Sequence, residues 1–76
     1  MTPFPYWLVT FDGTGLRKRR LERGLSQDRL AFRSGVSLKT VQRVEKLPAA
    51  SCRVAALRHL AAALSADPDT LIRELT

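Results

Sequence analysis

Apolar positions along this chain change their spacing several times, and each change marks an element. From Tyr6 to Phe11 the run Tyr-Trp-Leu-Val-Thr-Phe is almost wholly aromatic or β-branched, a composition that suits a half-buried strand. Pro3 and Pro5 disfavour helix before it, and Asp12-Gly13 is a turn signal after it. A first helix is expected from about Thr14 to Arg23, with Leu16 and the stem of Arg20 turned inward. Ser26 then serves as N-cap of a second helix whose Leu30 and Ala31 face the core. Gly35 supplies the left-handed residue that ends it, and Val36 fills the corner. Ser37 caps a third helix. At about 100° per residue, Ser37, Val41, Val44 and Glu45 share one side of it, and Leu38, Lys39, Gln42, Arg43 and Lys46 share the other. Beyond Pro48, Ser51 is expected to cap a fourth helix from about Cys52 to Ser65, with Val54, Leu57, Leu60, Ala61 and Leu64 in one stripe. Asp67 caps a short fifth helix with Pro68 at its first position.

The predicted fold class is therefore all-α: five helices over residues 14–76, preceded by an extended or β arm over residues 1–13. A chain of 76 residues has a thin core, which dimerisation would supplement. No apolar run approaches the about 20 residues that span a bilayer, and the opening segment has no basic leader followed by an apolar stretch. A cytoplasmic protein without membrane association is the expectation.

Charge sharpens the picture through its placement. The formal net charge is +6, but residues 14–58 hold twelve Lys or Arg against Glu22, Asp28 and Glu45, a local charge of +9. Residues 1–13 and 59–76 are slightly acidic. The positive segment contains the second and third helices, as a footprint for phosphates requires. Within the run Arg17-Lys18-Arg19-Arg20, Lys18 and Arg19 are expected to be solvated, whereas Arg17 is placed to reach a phosphate. Cys52 is the only cysteine and His59 the only histidine, and both are expected to be inert. No metal cluster, activated nucleophile or phosphate-cradling glycine loop can be assembled, so no enzyme, metal or cofactor is expected.

Two short helices around one tight turn inside a basic segment read as a DNA-binding helix-turn-helix. Arg20 followed by GLSQDRLA and then SGVSLKTVQRVE resembles the Cro and phage-repressor family, over about Leu16 to Ile72. The shared pattern is Arg20 late in helix 1, Leu25-Ser26-Gln27 opening helix 2, Leu30-Ala31 inside it, Gly35 at the turn, and Val41, Val44 and Glu45 in helix 3. The chain departs from that pattern after Glu45, where Leu47-Pro48-Ala49-Ala50 replaces a glycine common in relatives. The resemblance implies a repressor-like bundle in which helix 3 enters the major groove of double-stranded DNA. It also implies that Gln27 contacts a phosphate, that Leu38, Lys39 and Arg43 approach base edges, and that Arg20 pairs with Glu45 as a structural ion pair. The other reading of Arg20 and Glu45 is two independent solvated charges.

Lys39 and Arg43 can donate to guanine, Gln42 or Thr40 can bond a base or phosphate, and Leu38 can meet a thymine methyl. Thr40 lies off the outward arc and ranks behind Gln42. Ser26, Ser37 and Lys46 complete the expected DNA-facing set. The expected function is a small sequence-specific transcriptional regulator, most simply a repressor or autoregulator that binds an inverted repeat as a homodimer. Candidate dimer contacts are Tyr6, Trp7, Val9 and Phe11 in the arm and Leu71, Ile72 and Leu75 in the last helix. The arm has three readings: packed back over Leu21 and the bundle, paired with its twin in a dimer, or in contact with DNA. The rival function is an antitoxin-type protein that binds DNA and presents the arm to a toxin-like protein partner.

Overall fold

Asp12 ends one element and starts the next. Its carboxylate accepts from the Gly15 N–H at 2.9 Å and from the Thr14 hydroxyl at 2.8 Å, satisfying donors that an uncapped helix start leaves open. Its own N–H donates to the Leu71 carbonyl at 3.0 Å, tying this corner to the last helix. The computed structural model describes residues 7–73, and the candidate contacts Tyr6 and Leu75 lie outside them. In chain order the elements are β1 (Leu8–Phe11), α1 (Gly13–Glu22), α2 (Gln27–Ser34), α3 (Leu38–Glu45), β2 (Ala50–Arg53), α4 (Val54–Ala63) and α5 (Pro68–Arg73). The five expected helices are all present, together with one small antiparallel sheet.

The caps fall where local chemistry puts them. Ser26 Oγ accepts from the Arg29 N–H at 3.0 Å, and Ser37 Oγ accepts from the Thr40 N–H at 3.2 Å. Gly35 lies at φ +73°, its N–H donating to the Ala31 carbonyl, the left-handed exit that favours a residue without Cβ. The Asp67 carboxylate accepts from the Asp69 N–H at 2.9 Å and so opens α5 at Pro68.

The segment after Pro48 departs from the expectation. Residues Ala50–Arg53 form strand β2, not the first turn of α4, and they pair antiparallel with β1 in the register Leu8–Arg53, Val9–Cys52, Thr10–Ser51 and Phe11–Ala50. Helix α4 starts at Val54 with Arg53 as its N-cap and no side-chain cap bond. The Trp7 carbonyl, not the Ser51 hydroxyl, receives the Val54 N–H at 2.8 Å. The cause is non-local: β1 brings a partner strand from about forty residues upstream, and the ladder bonds it offers together outweigh a single hydroxyl cap.

Pairing within the chain also changes the arm. Leu21 is half exposed, and β1 is not packed over it. β1 instead lies on β2 and α5, and Phe11 is fully buried in the core with Leu16, Leu30, Val41, Val44, Leu57, Leu60, Leu64 and Leu71. Phe11 and Leu71 are thus withdrawn from the candidate dimer contacts, because their side chains are enclosed within their own chain. Trp7 stays exposed, and Val9 and Ile72 are half-buried. Helix α3 rests on α1, α2 and β2, and α2 rests on α3 and α4.

Candidate nucleic-acid interface

Helix α3 has two faces of opposite character. Val41, Val44 and Glu45 are buried, whereas Lys39, Gln42, Arg43 and Lys46 are exposed and Leu38 is half-buried. The outward side is therefore a row of donors on a helix whose inner side is fixed in the core. Such a face suits base edges, which present mainly acceptors at guanine and both donor and acceptor at adenine.

Glu45, although charged, sits on the inner side at 2 % exposure. Its carboxylate receives both arms of Arg20: Nε donates to Oε2 at 2.8 Å and Nη2 donates to Oε1 at 2.9 Å. Arg20 Nη1 donates to the Leu25 carbonyl at 2.7 Å. The guanidinium is thus turned wholly inward, joining α1, the loop before α2, and the end of α3. A bidentate geometry with extra hydrogen bonds is what a buried ion pair needs to offset its desolvation.

Gln27, the residue that the resemblance aims at a phosphate, belongs to the same network. Its Nε2 donates to Glu45 Oε1 at 3.0 Å. One N–H is committed to the interior, which leaves the second to donate outward at the start of α2, where the helix dipole already favours an anion. Ser26 and Ser37 are exposed caps at the starts of α2 and α3. Thr40 is half-buried, and its hydroxyl accepts from Ser37 Oγ at 2.9 Å, so it is engaged within α3. Arg17 is exposed on α1.

Arg43 is arranged differently from its neighbours. Its Nη1 donates to the Ser51 carbonyl at 3.1 Å, which ties the outward side of α3 to β2. Between these elements runs a groove lined by Gly35, Val36, Thr40, Arg43, Ser51, Arg53 and His59. Sequence reasoning assigned Ser51 to a helix cap and gave Arg53 no role. The available signal was the alternation of Ala50 and Cys52, both buried, with Ser51 and Arg53, both exposed, a period-two pattern of only four residues.

Cys52 lies beneath this groove at 6 % exposure. Burial pushes its thiol above the ordinary value, against a smaller downward pull from Arg43, so it is a poor nucleophile. His59 is exposed. Among the described residues there is no group of three His, Cys, Asp or Glu side chains placed to hold a metal, and no helix long and apolar enough to cross a membrane.

Residues 16–71 match the family model described as helix-turn-helix. Among solved structures, the chain is similar to the restriction-modification controller protein C.AhdI from Aeromonas hydrophila. The two share 38% identity and superpose with a TM-score of 0.68 over 84% of this chain and 89% of that one. No curated protein sequence matches the chain.

Proposed function

This chain belongs to the helix-turn-helix family of Cro and phage-repressor type, and from that premise we propose that it regulates transcription as a homodimer that reads an inverted repeat with α3 in the major groove. DNA binding and transcriptional regulation follow from the family. The observation that carries the finer reading is the exposed face of α3, where Lys39, Gln42, Arg43 and Lys46 stand opposite the buried Val41, Val44 and Glu45. Gln27, the exposed basic side chains led by Arg17, and the starts of α2 and α4 supply phosphate contacts. Lys39, Arg43 and Leu38 supply base contacts, with Gln42 ahead of Thr40 as a further hydrogen-bonding residue. One copy of α3 reads only a few base pairs, so a two-fold dimer with half-sites about 34 Å apart is expected. Of the expected interface residues, Trp7, Val9 and Ile72 are the described ones not enclosed in the core.

The regulated genes include its own and those of a restriction-modification system, a reading supported by the similarity to a controller protein of that kind. Repression by occupying promoter DNA is the simplest mode. The antitoxin-type alternative loses part of its proposed surface, because Phe11 of the arm is buried.

The test is fluorescence anisotropy with DNA from upstream of the gene, against a scrambled duplex, at about 150 mM salt. A preference of about a thousandfold or more is expected, with footprinting then giving a two-fold repeat. Equal, weak binding to both duplexes would reject sequence-specific regulation.

A further inference from the structure

In an antiparallel strand, the N–H and C=O of one residue point to the same edge, and successive residues alternate between edges. Val54 donates to the Trp7 carbonyl, so Cys52, two residues earlier, also faces β1, and Arg53 between them and Ser51 before them face away. The Ser51 carbonyl therefore stands on the edge of β2 turned from β1, and there it accepts from Arg43 Nη1. Thr10 and Ser51, directly opposite each other, bring their hydroxyls to 3.2 Å, the close approach expected of a pair that exchanges no backbone bonds. Cys52 and Ala50 are buried on the strand's inner face and hold it in the core.

We propose that the strand pair is a positioning element for base readout: β1 fixes β2, and the Ser51 carbonyl fixes the Arg43 guanidinium on the outward side of α3. The inference rests on Arg43 as a base-reading residue. Arg43 is an exposed side chain with many rotamers, and Lys39, Gln42 and Lys46 on the same face make no comparable bond to another element among the described residues. A guanidinium has five N–H donors, and the bond to Ser51 uses one. Nε and Nη2 remain to meet guanine O6 and N7 together. Both the donor's helix and the acceptor's strand are anchored in the core, so ordering that a free arginine would undergo on binding is completed beforehand. The N-terminal strand thereby affects sequence discrimination without touching DNA.

The experiment uses the full chain and an operator series varied one base pair at a time. Arg43→Ala is expected to lower discrimination at one operator position by about tenfold or more. Val9→Pro, which unpairs β1, is expected to lower it at that same position by about two- to tenfold, with discrimination at the other operator positions kept. The double variant Thr10→Ala, Ser51→Ala keeps every backbone bond, and a smaller loss at the same position is expected. In free wild-type protein, NMR should resolve separate Arg43 Nη signals, because the bond to Ser51 slows guanidinium rotation, and these should merge in Val9→Pro. If Arg43→Ala changes no position, base reading by Arg43 fails. If it relaxes one position but folded Val9→Pro and the double variant leave that position unchanged, the positioning role alone is overturned. Tighter binding of every duplex by Val9→Pro would also overturn it, by showing that Ser51 withholds Arg43. Should Val9→Pro prove unfolded by circular dichroism, the double variant decides.

Discussion

Glu45 carries a carboxylate in the interior, and three N–H donors from Arg20 and Gln27 converge on it. Removing the carboxylate strands the Arg20 guanidinium at 6 % exposure, hydrogen-bonded among the described residues to the Leu25 carbonyl alone. Glu45→Ala is accordingly expected to cost about 3 to 5 kcal/mol in urea denaturation, whereas the double change Arg20→Met, Glu45→Leu should stay much closer to wild type. Equal losses in the two variants would show that packing, not the stranded charge, sets the penalty. Cys52 makes a second prediction at this scale. Burial raises its thiol pKa in the folded chain, so the folded state holds the proton more tightly than the unfolded one. The stability this contributes is fully present below the unfolded thiol value and is lost as pH rises through the folded one. The fall in melting temperature above about pH 8.5 should be shallower in Cys52→Ala, and an identical slope would remove Cys52 from the linkage.

Gly13, which opens α1, and Gly35, which closes α2, differ in what a methyl group would meet. At Gly35 there is open space, but φ is +73°, so Gly35→Ala carries a conformational penalty alone, about 1 to 2 kcal/mol. At Gly13 a Cβ would overlap the Val44 and Leu47 carbonyl oxygens at the end of α3. Gly13→Ala should destabilise more than Gly35→Ala and should also weaken operator binding, because relief requires α3 to move. Comparison of the two by denaturation and anisotropy checks both the order and the cause. The Asp12-Gly13 pair was legible in the sequence as the break before the first helix, where Asp12 proves to be its cap and Gly13 its first residue, but its packing was not, since the neighbour that forbids a side chain comes from about thirty residues later. The same division holds for the helices. The span from Ser26 to Glu45 was legible because a serine cap, a left-handed glycine and a second serine cap each act within one helical turn. Strand β2 was not, because Ala50–Arg53 becomes a strand only beside β1.

Across the whole molecule, the positive charge of residues 14–58 predicts binding that weakens steeply with salt. Arg17, exposed on α1, is offered as one of the phosphate contacts. Arg17→Ala should weaken specific and scrambled duplexes alike and reduce the slope of log K against log salt by about 1; a change confined to one base position would instead make it a reader. The sequence by itself determined the five helices, the helix-turn-helix and the division of α3 into an inner and an outer side. Those features depend on caps, on the periodicity of neighbouring residues and on local charge, all written within a few positions. Tertiary structure alone decided that Phe11 fills the core instead of a dimer surface, that β1 pairs with β2, that Gln27 turns one N–H to Glu45, and that Arg43 reaches the Ser51 carbonyl. Each of these depends on which distant segment arrives alongside, and that is set by how the whole chain buries its apolar surface, not by the residues on either side.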